Sequence, residues 1–164
     1  MPPDFADNLI GLLPNLRRYG LSLSRKADIA DDLVQITVER ALSNWTSFDA
    51  QTRLEPWLFR IMRNAFIDMT RRDRTRGTGV DVTEQPEVLA HDPAAGIEAR
   101  MMLQTVEQAM ETLPDAQREV LHLVCVADLS YAEAAQLLGV PVGTVMSRLS
   151  RARIALAEKL GINS

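Results

Sequence analysis

Near the end of the chain, Thr144, Met146, Ser147, Arg148, Ser150 and Arg151 combine short hydroxyls with guanidinium groups. Hydroxyls and guanidinium groups can bond to phosphates and to base edges, so this set suits the reading of duplex DNA. A second set, Arg60, Arg63, Asn64 and Arg71, repeats at helical spacing; together with Arg74 it can project from related parts of one exposed surface. Residues 53–76 hold 7 Arg against 3 acidic residues. Upstream of it, Asn44, Ser47, Phe48 and Gln51 belong to a polar stretch, Asn44 to Arg53, that also carries Trp45. A polar loop beside a basic helix can take extruded bases while arginines follow the phosphates. A third set, Asp31, Asp32, Gln35 and Glu39, is carboxylate-rich and suited to a partner's arginines; a solvated polar face is the simpler alternative.

Catalytic chemistry finds no comparable set. No phosphate-cradling glycine loop, metal-ligand set or nucleophile with its base stands out, so neither an enzyme nor a cofactor is expected. His122 and Cys125 could sit one helical turn apart as a metal pair. With no further Cys or His nearby, a helix with one small buried thiol is the simpler reading.

The elements that must position these residues all read as helices. Leu9, Leu13, Leu16 and Tyr19 fall at helical spacing, interrupted by Gly11 and Pro14. Ala30, Leu33, Val34, Thr37, Val38, Ala41 and Leu42 form one apolar stripe, with Asp28 and Asp31 placed to cap its start and complement the helix dipole. A helix from about Leu54 to Arg74 turns Leu54, Trp57, Leu58, Ile61, Met62 and Ala65 inward. The second half opens with a helix holding Met102, Val106, Ala109, Met110 and Leu113, followed by another from about Asp115 to Val126. Ser130-Tyr131-Ala132-Glu133 is a capping box, in which hydroxyl and carboxylate reciprocally satisfy backbone amides. Its helix runs into Gly139, and a further helix begins near Gly143-Thr144 with Val145, Leu149, Ala152 and Leu156 inward. Short helix, glycine turn and amphipathic helix make a helix-turn-helix, whose second helix enters the major groove. No segment alternates like a strand, so the fold class is all-α.

A net charge of −4 argues at first against nucleic acid as a partner. Its distribution reverses that argument: residues 77–99 hold 5 acidic and no basic side chains, whereas residues 141–164 hold 4 basic and 1 acidic. The stretch 77–97, with Gly77, Gly79, Pro86, Pro93 and Gly96, reads as a flexible acidic linker between small domains at 1–76 and 98–164. No run reaches the ~20 apolar residues of a membrane span, and the start lacks a signal-peptide pattern, so a cytoplasmic protein is expected.

Four motifs occur in one order. They are Asp28-Ile29-Ala30-Asp31-Asp32-Leu33-Val34-Gln35; Trp57-Leu58-Phe59-Arg60-Ile61 with Arg63, Asn64 and Asp68; Leu113-Pro114 with Gln117-Arg118-Glu119-Val120-Leu121; and Gly143 through Arg153. Together they resemble the extracytoplasmic-function sigma factors of bacterial RNA polymerase, over nearly the whole chain. The resemblance implies two helical domains, sigma regions two and four. Region two would bind the β′ clamp helices of core polymerase through Asp31, Asp32, Gln35 and Glu39. It would open the minus-ten element with Asn44, Ser47, Phe48, Gln51, Arg60, Arg63, Asn64 and Arg71. Region four would read the minus-thirty-five duplex, with Met146, Ser147, Ser150 and Arg151 at base-reading positions and Thr144 and Arg148 nearer the phosphates; the β flap of core polymerase is a further implied partner. An anti-sigma factor is an implied partner.

Departures from the family pattern are Ile36 where Glu is frequent, Met146 where Lys or Arg is frequent, and Pro141 where a capping Ser is frequent. Two other function classes compete: a stand-alone helix-turn-helix regulator, and a sigma-like decoy that binds an anti-sigma factor instead of DNA. A decoy should lack the arginines of 60–76 and 148–153, which this chain keeps.

Overall fold

Proline and glycine punctuate the N-terminal region as their chemistry requires. In the computed structural model, which describes residues 1–76 and 96–162, α1 (Pro3–Gly11) and α2 (Leu13–Ser24) meet at Leu12. Pro14 lies in the first turn of α2, where its missing N–H costs nothing. Phe5, Leu9, Leu16, Tyr19 and Leu21 are buried. The turn into α3 (Ala27–Ser43) places Arg25 in the left-handed region at φ 61°. Ser24 secures that turn: its Oγ donates to the Gly20 carbonyl at 2.7 Å and accepts from the Lys26 amide at 3.2 Å.

Helix α3 starts two residues earlier than a cap at Asp28 would require. Lys26 is the N-cap residue and supplies no side-chain cap, so Asp28 sits in the first turn, where its carboxylate still faces the positive end of the helix dipole. The inward stripe is narrower than expected: Ala30, Leu33, Thr37 and Ala41 are buried, Val34 and Val38 are half-buried and Leu42 is exposed. Thr37 is a polar member of this core, satisfied by donating to the Leu33 carbonyl at 2.7 Å. Gly20 makes the α2–α3 packing possible; a Cβ there would lie 3.3 Å from the Ala30 Cα.

Helix α4 (Leu54–Arg76) closes the unit with Leu58, Phe59, Met62 and Ala65. Phe59 was not among the expected inward residues, yet its ring stacks at 4.7 Å on Tyr19. Leu54, Trp57 and Ile61 are only half-buried. Asn15 of α2 donates to Glu55 at 3.2 Å, joining α2 to the start of α4.

The chain divides into two compact units, Met1–Glu87 and Val88–Ser164. The 77–97 linker reading lies outside the described residues up to 95, and Ile97 already belongs to α5 (Ile97–Glu111). In the second unit α6 (Asp115–Leu121) continues into a wider turn at His122–Val126, where the Ala127 amide bonds to the His122 carbonyl at 2.9 Å. That π-type turn rotates the stripe, burying His122 and Leu123 and exposing Cys125. The expectation of a buried thiol is therefore wrong, and histidine and thiol do not share an environment. Arg118 is a buried cation inside α6, held by Asp115 at 2.9 Å and near the Leu113 carbonyl at 3.4 Å.

Helices α7 (Tyr131–Leu138) and α8 (Val142–Lys159) complete the unit, and no strand occurs among the described residues. Leu113, Val120, Leu129, Ala134, Leu137, Val145, Leu149 and Ala152 form its core, with Leu156 half-buried. On α5, Met102 was expected to face inward and instead is 71% exposed, because α5 packs only through its C-terminal part; Val106, Ala109 and Met110 are half-buried.

Candidate polymerase and nucleic-acid interfaces

The capping box forms as its residue types require: the Glu133 amide donates to Ser130 Oγ at 3.0 Å, and the Ser130 amide donates to the Glu133 carboxylate at 2.9 Å. Gly139 then adopts φ 68°, the left-handed conformation in which any Cβ would be strained. Val140 and Pro141 follow, and Pro141, at φ −63° and ψ 152°, is the N-cap residue of α8. The helix thus begins at Val142, slightly before the expected Gly143-Thr144. With Val145, Leu149 and Ala152 fixed in the core, Met146, Ser147, Ser150 and Arg151 are all exposed. Thr144 and Arg148 are half-buried on one flank of this face. All members of the set therefore lie along the outer and flanking surface of one helix.

In the first unit, Asp31, Asp32, Gln35 and Glu39 are exposed along α3, opposite its buried stripe. Asp31 pairs with Arg17 of α2 at 3.0 Å, and Gln35 donates to Glu39 at 3.3 Å. Exposed pairs of this kind add little to stability, so the carboxylates can exchange partners cheaply. Leu42, which helical spacing predicts for the core, instead extends this face with an exposed apolar side chain, because the covered stripe is narrower than the apolar one. Ile36 is half-buried and lines a groove of about 200 Å³ between α3 and α4, beside Arg40, Asp68 and Met69. Arg40 and Asp68 stand 3.8 Å apart across that groove.

Residues of the Asn44–Arg53 loop divide into scaffold and surface. Asn44 is exposed, and its amide already donates to the Arg40 carbonyl at 2.8 Å, closing the end of α3. Phe48 is half-buried; its ring packs on Trp57 at 5.2 Å and on Phe5 at 6.0 Å. Asp49 shapes the turn by accepting from the Gln51 amide at 3.0 Å, which leaves the Gln51 side chain outside. Ser47 is likewise exposed. A cleft of about 430 Å³ opens beside this loop, lined by Phe5, Asn8, Trp45, Thr46, Phe48 and Thr52 among others. The contribution of α1 to that cleft has no signal in the sequence, because Phe5 and Asn8 lie far from the loop along the chain.

On α4, Arg60, Asn64 and Arg71 are exposed and Arg63 is half-buried, all on one face by helical spacing. Among the described residues no group of three or more His, Cys, Asp or Glu side chains is placed to hold a metal ion. Among the described residues, no helix is long and apolar enough to cross a membrane.

Residues 103–156 match the family model described as Sigma-70, region 4, and residues 9–63 match the Sigma2 domain of PhyR. The ECF RNA polymerase sigma factor EcfG of Rhodopseudomonas palustris is 39% identical over 96% of this chain and 85% of its own. The ECF RNA polymerase sigma factor SigM of Bacillus subtilis is 33% identical over 83% of this chain and 82% of its own. Among solved structures, the sigma factor RpoE in complex with the anti-sigma factor NepR, from Bartonella quintana, is similar with a TM-score of 0.83 at 35% identity, over 99% of this chain and 100% of that one.

Proposed function

The chain belongs to the extracytoplasmic-function RNA polymerase sigma factors, and on that footing we propose how its surfaces divide the work. It binds core RNA polymerase and directs promoter-specific transcription initiation under anti-sigma control. It acts in the cytoplasm as a specificity subunit and contributes no catalytic step of its own.

Residues 1–76 dock on the β′ clamp helices through Asp31, Asp32, Gln35 and Glu39 and hold the melted minus-ten strand. There Asn44, Ser47, Phe48 and Gln51 shape and line the loop, while Arg60, Arg63, Asn64 and Arg71 track the phosphates. Residues 98–164 place α8 in the minus-thirty-five duplex, with residues 77–97 between the two units. Met146, Ser147, Ser150 and Arg151 face the bases, and Thr144 and Arg148 flank them toward the backbone. The exposed apolar end of α5, Ile97, Met101, Met102 and Leu103, suits a protein partner, the β flap or the anti-sigma factor in turn.

The observation that carries this reading is the face of α8: hydroxyls and arginines presented outward behind a formed capping box and glycine turn. The exposed arginines of both units count against a decoy that has given up DNA. Two variants test the division. With holoenzyme, Arg151→Ala should weaken binding to the upstream duplex and spare initiation on a template already melted at minus ten. Arg60→Ala combined with Asn64→Ala should do the reverse; identical defects from both would sink the assignment.

A further inference from the structure

Val142 and Met146 lie one turn apart at the leading end of α8, and both are exposed, at 42% and 51%. Neither is needed by the core, which takes Val145, Leu149 and Ala152; the exposed pair borders that buried stripe on the flank leading to Ser150. Ser150 follows them at the next turn, so the apolar pair is continuous with the face assigned to DNA. A thioether carries no donor for guanine O6 or a phosphate. The major groove nevertheless offers one apolar group on its floor, the thymine C5-methyl. Met is long, unbranched and polarizable, and so reaches and adapts to such a group better than a branched side chain.

We infer that Met146, with Val142 behind it, reads a thymine methyl in the upstream element, so that this chain selects there by apolar contact. The inference rests on the reading of α8 as the duplex reader and adds which base chemistry it selects. Loss of one methyl from such a contact corresponds to about fourfold in affinity.

The test uses the full chain with core RNA polymerase. Promoters are recovered from templates with a randomised upstream element, and each thymine there is replaced singly by deoxyuridine, which removes the methyl and nothing else. One position should lose about fourfold in binding with the native chain, nothing with Met146→Ala, and again about fourfold with Met146→Leu. If no single replacement matters, or if Met146→Ala loses the same factor, the inference is overturned while the α8 reading stands. Equal weakening by Met146→Ala on every template, methylated or not, also overturns it and turns the side chain toward a protein. Recovery of no preferred upstream sequence removes the α8 reading together with the inference.

Discussion

Single side chains in this protein divide into those that shape a surface and those that are spent on it. Phe48 packs on Phe5 and Trp57, whereas Ser47 beside it only exposes its hydroxyl. Phe48→Ala should therefore cost about 2 kcal/mol, less than a fully buried ring, and lower the thermal midpoint. Ser47→Ala should leave that midpoint unchanged and affect promoter opening alone; a permanganate footprint of the melted strand separates the two effects. A similar argument applies to Ser130, whose hydroxyl and Glu133 exchange two bonds at the start of α7. Its replacement by Ala should cost about 1 kcal/mol in denaturant unfolding. An unchanged midpoint would mean that the second unit does not depend on this cap. Ser130 and Gly139 were legible as residues because their local chemistry leaves few alternatives. The bond by which the Asn44 amide closes α3 is not legible in the sequence, because a side chain's bond to a carbonyl four residues back leaves no compositional mark.

At the scale of elements, helical periodicity carried most of the fold and failed where packing overrode it. Spacing predicts a stripe on α3 that includes Leu42, yet only Ala30, Leu33, Thr37 and Ala41 are fully covered. The same periodicity predicts Met102 inward and it is exposed, because spacing shows which residues share a face and not whether anything covers it. The π-type turn after α6 was invisible for a related reason: a register change from one extra residue needs the neighbouring helices to define it. Two predictions belong here. Gly20→Val puts a branched side chain where even a Cβ meets the Ala30 backbone at 3.3 Å, so it should separate α2 from α3 and lower stability by roughly 2 kcal/mol or more. Calorimetry that finds the native midpoint would contradict this packing. Asp32→Ala with Gln35→Ala, both exposed, should leave the fold intact and reduce affinity for core polymerase in a titration. Unaltered affinity would take the outer face of α3 out of the account.

For the whole molecule, total charge is a poor guide and its partition a good one. A net charge of −4 coexists with 7 Arg over residues 53–76 and a basic end at 141–164. An acidic chain with local basic faces should bind free promoter duplex weakly, lose that binding steeply as salt rises, and bind tightly once polymerase supplies the remaining contacts. The two-unit organisation has the same logic: in the proposed division one compact unit reads duplex and the other reads melted strand. The most direct test is run-off transcription by core RNA polymerase from templates with randomised promoter sequence, with and without the full chain. Discrete transcripts that start at a recovered pair of promoter elements, and only when the chain is present, are the predicted result. Output from core enzyme that stays the same and promoter-independent in both reactions would contradict the account.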